Sequence, residues 1–376
     1  MRRLVLLAGI AITAALIVSP RWSPAGELYP IPQHYTLLDP IRSGNLTVFP
    51  VLASKSYDTA EFITLDEGLK SGEVVVTEAG QARGLIRRRH PGAPQSDLAL
   101  RDGEVNRLVL VNNSKRPLLL LAGEIVTGGK QDRVIGKDRI VPPESDPVDL
   151  NVFCVEPGRW VADNGKYNFS ASHSPASPVG TFAAPNVRSK AMAEKNQQQV
   201  WDEVGKSKQA MASSVTVEAG AGAAAEVNST SSYARVMENK DVQKQVDSVA
   251  APVEHHYESL IHQLRDKNAV GVVVAVNGEI VWADIFASAQ LLQKYWPKLV
   301  RSYATEAVIT RAKAGEVSLK DAQKFLDSLE ARHETSDVEP GVYRQTEVTG
   351  DGFKVFELMS LLPKTGFTVH IAKMAD

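Results

Sequence analysis

Short apolar runs bounded by turn-forming residues fill the chain between residues 26 and 165 and predict β-strands there. Clear examples are 46–52, 72–78, 107–111 and 118–122. The last two runs flank Asn-Asn-Ser-Lys-Arg-Pro, which favours a turn, so they predict a hairpin of buried strands. No helical patterns of 10–15 residues separate the runs, which argues against a doubly wound parallel sheet.

The pattern changes in the second half of the chain. Apolar residues recur every three or four positions in 242–264 and in 291–307, which predicts one buried face on each of two helices. Between them, Asn277-Gly278 joins two apolar runs and predicts a tight hairpin. The tail, 341–373, reads as three further strands. The sequence therefore predicts an α+β fold with antiparallel pairing: a β-rich N-terminal half, then helices and a β-hairpin in the C-terminal half.

Low-complexity composition predicts two segments without regular secondary structure that connect helices or strands. Residues 166–189, rich in Ser, Ala, Pro and Gly, predict a long surface connection, and 218–232 predict a flexible loop. The resulting domain organisation has four parts: a signal peptide at 1–25, a β-rich part of the main domain at 26–165, a helical and hairpin part of the same domain at 166–312, and a C-terminal helix with strands at 313–376.

The N-terminus has the layout of a secretory signal peptide. Arg2 and Arg3 precede 15 uncharged residues, 4–18, and Ser23-Pro-Ala25 offers small residues for cleavage. The run is short for a membrane span, which needs about 20 residues. We expect an extracytoplasmic protein, periplasmic or secreted, with no membrane span after cleavage; an uncleaved N-terminal anchor is the alternative.

Composition narrows the functional classes. The chain has 376 residues, 42 Lys and Arg against 44 Asp and Glu, and one Cys. Such values fit a globular protein and argue against a disordered or disulfide-stapled chain. The small net charge of −2 argues against a nucleic-acid-coating protein.

A glycine-rich cationic loop, 128–133, is the first candidate site. Its two glycines allow backbone amides to approach a ligand, while Lys130, Gln131 and Arg133 supply donors for a phosphate or carboxylate. The spacing is not that of a P-loop. The alternative is a tight turn with solvated charges.

A strand at 148–154 leads to the second candidate site. Alternation places Cys154 on an apolar face, as a small core residue, and Arg159 and Trp160 at the strand end. Arg159 could bind a ligand or pair with a carboxylate. Glu124 and Glu156 could form an acid–base pair if the fold brings them within about 5–10 Å.

The histidines show no metal-binding pattern. His255 and His262 share a helix face, but no acidic ligand set completes a zinc motif, so we expect no metal site.

Four segments in this order, 123–133, 154–160, 199–203 and 271–286, resemble the ARG and rhodanese-phosphatase superfamily associated protein domain. The resemblance spans roughly residues 35–312. It implies a prokaryotic family named for its genomic association with ADP-ribose-processing and phosphatase-like proteins rather than for a reaction. Where the usual pattern is Gly-Ala-Lys-Gln-Asn-Arg, this chain has Gly129 and Asp132 in place of Ala and Asn. The family positions are Lys130, Gln131, Arg133, Cys154, Glu156, Arg159 and Trp160.

Three functions remain open. The first is an exported, non-catalytic domain that binds an anionic ligand, such as one that is nucleotide-like or related to ADP-ribose, through Lys130, Gln131, Arg133, Arg159 and Trp160. The second is a hydrolase that uses Glu124 and Glu156. The third is a structural envelope protein. The sequence indicates no particular cofactor or protein partner.

Overall fold

A computed structural model describes residues 34–81, 106–162, 167–171, 180–263, 268–313, 315–328 and 332–376. The predicted signal peptide, 1–25, lies outside these residues. The strands are β1 (Tyr35–Leu37), β2 (Ile41–Ser43), β3 (Leu46–Ala53), β4 (Ile63–Thr64), β5 (Val74–Glu78), β6 (Arg107–Asn112), β7 (Leu118–Leu120), β8 (Ile125–Gly128), β9 (Arg133–Ile135), β10 (Arg139–Val141), β11 (Val148–Cys154), β12 (Asn168–Ala171), β13 (Asn268–Val276), β14 (Glu279–Phe286), β15 (His333–Glu339), β16 (Tyr343–Thr349), β17 (Phe353–Ser360) and β18 (Thr368–Ala375).

The helices are α1 (Leu65–Ser71), α2 (Pro185–Ser189), α3 (Gln197–Ala219), α4 (Ala221–Asn228), α5 (Tyr233–Glu238), α6 (Lys240–Gln263), α7 (Ala289–Ile309) and α8 (Leu319–Asp327), with a π-helical turn at Lys190–Glu194 after α2. The side chain of Ser288 accepts a hydrogen bond from the backbone N–H of Leu291, so it caps α7 as the sequence predicts.

A nine-stranded antiparallel sheet joins the first and the last segments that the structure describes. Its order is β1-β3-β13-β14-β18-β17-β16-β15, and β2 also pairs with β3. The predicted Asn277-Gly278 hairpin links β13 to β14. Alternate residues of β13 enter different cores. Val272 and Val274 pack in the core that contains α6 and α7, and Val273 and Ala275 pack in the core that contains α8. Because both faces are covered, β13 reads as a continuous apolar run.

A six-stranded closed barrel, in the order β11-β6-β5-β12-β8-β9, occupies the N-terminal half. Its interior holds apolar side chains such as Val76, Leu110, Val126 and Val152. A separate three-stranded sheet, β10-β7-β4, lies beside it. In the barrel β9 is paired with both β8 and β11. This pairing places the 128–133 loop next to the end of β11.

The predicted hairpin of 107–111 with 118–122 is wrong, although both strands are buried as expected. Strand β6 pairs with β5 and β11, whereas β7 pairs with β10 and β4. The turn between them has partners elsewhere, since the Asn112 amide donates to the carbonyls of Val141 and Pro142. These bonds tie the turn to the end of β10.

Two predicted connections are also wrong where the structure describes them. Residues 218–228 are helical apart from Gly220, because the alanines in this segment favour helix and only Gly220, at φ +86°, interrupts it. The segment 180–189 is not a surface connection, since Phe182, Ala183 and Val187 are buried. Residues 168–171, in the first part of the same predicted connection, form strand β12 of the barrel.

The fold class is confirmed. The N-terminal half is rich in antiparallel strands, and the C-terminal half carries helices and the hairpin. Strand β15, ahead of the three predicted strands of the tail, adds a fourth.

Candidate functional site

The two candidate segments converge at one end of the barrel. Strands β9 and β11 pair antiparallel, with Arg133 opposite Cys154, so the loop that ends at Arg133 meets the segment that begins at Cys154. The Gln131 amide donates to the carbonyl of Glu156 at 3.2 Å, and the Asp132 N–H donates to the Glu156 carboxylate at 3.0 Å. The structure thus brings the predicted residues of both segments together.

The two glycines of the loop permit its close approach to β12. Gly128 has φ +124° and Gly129 has φ +48°, conformations that side chains rarely adopt. A Cβ atom at Gly129 would lie 2.2 Å from the Phe169 ring and 2.7 Å from the Glu78 carboxylate. Glu78 also accepts the Lys130 N–H at 2.7 Å. The loop is therefore fixed to β5 and β12.

Arg159 pairs with carboxylates of both segments. Its guanidinium lies 2.6 Å from Glu156 and 3.4 Å from Asp132, and it donates to the carbonyl of Gly129 at 3.0 Å. Of the two uses left open for Arg159, ion pairing is the one observed.

Asp132 connects the loop to helix α5. Its Oδ2 accepts the Ser232 hydroxyl at 2.5 Å, and its Oδ1 accepts the Gly128 N–H at 3.1 Å. Burial and the neighbouring Glu156 carboxylate raise the pKa of Asp132. A buried side chain with these bonds holds the loop in place.

Arg133 and Gln131 are interior residues. Arg133 is fully buried, and burial lowers its pKa. Its guanidinium carbon lies 5.9 Å from the centre of the Trp160 ring. Gln131 is also buried, and its Oε1 has no hydrogen-bond partner within the described part of the chain. Both side chains therefore have almost no contact with solvent.

Lys130 and Trp160 form the outer part of the site. Trp160 is 42 % exposed, and the Lys130 ammonium lies 4.8 Å from the centre of its ring. This distance is that of a cation–π contact. Among the described residues, no carboxylate forms an ion pair with the Lys130 ammonium. The indole is the most exposed of these side chains, whereas Lys130 is half-buried.

The Glu124 carboxylate contacts residues other than those that contact the Glu156 carboxylate in the described structure. Its carboxylate pairs with the Lys298 ammonium and accepts the Leu121 N–H at 2.8 Å, while Lys298 also pairs with Asp66. Burial raises the pKa of Glu124. Glu156 is paired with Arg159. Within the described part of the chain, the two carboxylates therefore share no contact partner.

Cys154 is a buried core residue, as predicted. Burial raises the pKa of its thiol, and its sulfur accepts the Glu156 N–H at 3.3 Å. The Gln197 side chain bonds to both the N–H and the carbonyl of Cys154. These contacts attach the end of β11 to α3.

The sequence did not indicate several residues of this cluster. Glu78 and Ser232 are 52 and 100 positions away from the loop residues that they bond. Neither belongs to a motif, so no sequence signal could have found them. Ser232 was predictable only as a helix cap, a role that it also performs by accepting the Arg235 N–H.

The described ranges contain neither a metal-ligand cluster nor a helix suited to a membrane. There, no group of three or more His, Cys, Asp or Glu residues could hold a metal ion. None of the helices in those ranges combines the length and the apolarity needed to cross a bilayer.

Comparison with known proteins identifies a family for the chain. No curated protein and no solved structure matches the chain. The profile of the ARG and Rhodanese-Phosphatase-superfamily-associated Protein domain matches residues 34–374. This match extends beyond residue 312, where the resemblance seen in the sequence ends, and includes the C-terminal strands of the nine-stranded sheet. The chain therefore belongs to the ARG and Rhodanese-Phosphatase-superfamily-associated Protein domain family.

Proposed function

We propose that the protein binds a small anionic ligand carrying an aromatic ring at the surface formed by Lys130 and Trp160. The observation that carries the proposal is the partly exposed indole beside an ammonium group without a carboxylate partner in the described part of the chain. A ring can stack on an indole, and a lysine ammonium is a common phosphate ligand. A nucleotide combines both features.

The remaining predicted residues position this surface rather than contact the ligand. Arg159 holds the backbone of the loop through Gly129 and joins it to Glu156 and Asp132. Arg133 supports Trp160 from within the barrel end. Because these contacts fix the loop before a ligand arrives, binding costs little ordering of the chain.

Calorimetric titration with ADP, adenosine and pyrophosphate tests the proposal. We expect ADP to bind most tightly, because it supplies both the ring and the charge. Trp160→Leu should weaken ADP and adenosine by about tenfold, the scale of one stacking contact. Lys130→Gln should weaken ADP and pyrophosphate but leave adenosine unchanged. Lys115→Gln, which removes an exposed lysine elsewhere on the barrel, is the matched control.

Two results would overturn the proposal. One is the absence of saturable binding by all three compounds. The other is ADP binding that survives in the Trp160→Leu, Lys130→Gln double variant, since the ligand would then occupy another surface.

The hydrolase remains the second candidate, supported by the raised pKa of Glu124, which is a property of general acids. Its difficulty is that Glu124 is buried and paired with Lys298. Turnover of any bound ligand, lost in Glu124→Gln and in Glu156→Gln, would favour this function. A chain that binds no ligand at all would favour the structural envelope protein.

We also propose that the protein is exported, on the strength of the signal-like N-terminal pattern. Fractionation of cells followed by mass measurement of the chain tests this. An extracytoplasmic chain that begins near residue 26 supports cleavage, an extracytoplasmic chain with residues 1–25 intact supports the anchor, and a cytoplasmic chain contradicts export.

A further inference from the structure

A cavity of about 140 Å³ lies beside the nine-stranded sheet, and its lining does not include Lys130 or Trp160. It lies between the start of β1, the end of β14 and the turn that leads into β18. Aromatic rings and one acid contribute to its lining: Tyr35, Tyr57, Phe286, Phe367 and Glu357.

Glu357 is the unusual member of this lining. Its side chain is only 6 % exposed, and it shares a sheet face with the apolar Val355 of the α8-side core. Its Oε1 accepts the Thr368 hydroxyl, whereas its Oε2 has no hydrogen-bond partner in the described ranges. A buried carboxylate oxygen without a partner is costly, so its presence calls for a physical explanation.

The nearby groups do not neutralise Glu357. Burial and the Glu357 carboxylate raise the pKa of Tyr35, so its phenol stays uncharged at neutral pH. The exposed Lys55 ammonium lies 4.6 Å from the centre of the Tyr57 ring. It forms no ion pair with Glu357 in the described structure. The Tyr57 ring thus already contacts one cation, while the Glu357 carboxylate has no ion-pair partner among the described residues.

We propose that this cavity binds a small organic ammonium ion, with the positive charge facing Glu357 and the methyl or methylene groups against the aromatic rings. A carboxylate supplies the charge complement, and aromatic faces attract cations that are weakly hydrated. The acid and the rings together select for charge and for apolar surface at once. The site is independent of the proposed nucleotide-like ligand.

The volume indicates the size of the ion. A cavity of about 150 Å³ in another protein accommodates benzene. The cavity here, about 140 Å³, is thus suited to a head group of similar size, such as trimethylammonium.

A pair of isosteric compounds tests the proposal directly. Choline and 3,3-dimethyl-1-butanol have nearly the same shape, but only choline is charged. We expect calorimetric titration of the full chain to show saturable binding of choline and at least about tenfold weaker binding of the alcohol, since the alcohol lacks the charge that Glu357 complements.

Matched variants locate the site. Glu357→Gln keeps the shape of the side chain and should lower choline affinity by at least about tenfold, because it removes the charge. Glu347→Gln makes the same change on the neighbouring strand, where the carboxylate pairs with Lys195, and should leave choline affinity unchanged. Tyr57→Leu removes one wall and should also weaken choline. It serves as the second test if Glu357→Gln does not fold.

Three results would overturn the proposal: no saturable choline binding, equal affinities for choline and the alcohol, or full choline affinity in Glu357→Gln. The thermal unfolding of Glu357→Gln adds a separate readout. Without choline the variant should be at least as stable as the wild type, because an unpaired buried charge is gone. Choline should then raise the unfolding temperature of the wild type alone.

Discussion

The His370 imidazole joins the barrel half of the protein to the nine-stranded sheet. Its Nδ1 lies 2.6 Å from Oδ2 of Asp138, a residue 232 positions away in the chain. Its Nε2 lies 3.1 Å from Asp284 on the neighbouring strand, and all three side chains are fully buried. Asp138 also accepts the Ala122 N–H at 2.7 Å, two residues before Glu124. The segment that leads into the candidate site is therefore attached to this histidine.

The first prediction concerns the pH dependence of stability. Burial favours the uncharged imidazole, but Asp138 and Asp284 outweigh it and raise the pKa of His370. A histidine whose pKa is raised by folding stabilises the folded state. This stabilisation is complete at a pH below the pKa of an unfolded histidine, about 6.5, and it is lost as the pH rises through the pKa in the folded state. The free energy of unfolding of the wild type, measured with denaturant, should therefore fall as the pH rises above about 6.5. His370→Asn should lack this step.

Other groups titrate nearby, so the difference between the two profiles is the measurement. Burial raises the pKa of Glu306 to about 7, which contributes its own loss of stability with rising pH. Glu306 is present in both proteins, and its contribution cancels in the difference. A difference that does not change with pH above about 6.5 would contradict a charged His370.

The second prediction concerns the buried Arg188–Asp284 pair. The two groups lie 2.7 Å apart, and the guanidinium also lies over the Trp282 and Phe182 rings. Arg188→Met fills similar space but leaves Asp284 without its arginine. We expect a loss of about 3–5 kcal/mol in the free energy of unfolding, because removal of one partner leaves a buried charge uncompensated.

An exposed ion pair gives the control for that measurement. Lys206 pairs with Glu203 at 3.2 Å, and the lysine is largely exposed. Lys206→Met should therefore cost no more than about 1 kcal/mol. Equal losses in the two variants would show that Arg188 contributes no more than a surface pair.

The order of elements was largely predictable because local patterns determine it. The Asn277-Gly278 turn and the Ser288 cap each act within a few residues, and both are observed. Sheet partners were harder to predict. Strand β3 pairs with β13 across more than 200 positions, as in Val273 opposite Phe49. Both strands are continuous apolar runs, and such runs do not specify a partner.

The sequence predicted that the candidate-site residues would lie together, but it did not predict their contacts. Motif residues such as Lys130 and Trp160 do meet in space. The sequence could not show that Arg133 is fully buried or that Arg159 pairs with nearby carboxylates. Those roles depend on the pairing of β9 with β11, which is a long-range feature. The His370 contacts were not predicted, because their members lie in unrelated segments.

The third prediction uses the single cysteine as a probe of the barrel end. Cys154 is fully buried, and burial raises the pKa of its thiol. Both effects slow reaction with a thiol reagent, since the thiolate is the reactive form. We expect Ellman's reagent to label the native protein slowly at pH 8 and the denatured protein rapidly. Rapid labelling of the native protein would contradict a buried, structural Cys154.

The fourth prediction separates backbone strain from steric conflict in the candidate site. Gly129 and Gly44 have similar φ angles, +48° and +58°. A Cβ at Gly129 would meet Phe169 at 2.2 Å, whereas a Cβ at Gly44 would have no neighbour within 4 Å. Gly44→Ala should cost about 1 kcal/mol from strain alone. Gly129→Ala should cost about 1–3 kcal/mol more, from crowding, and should also weaken ADP because the loop shifts. Denaturant unfolding and calorimetric titration measure both effects, and equal losses of stability would mean that the loop is not packed against Phe169.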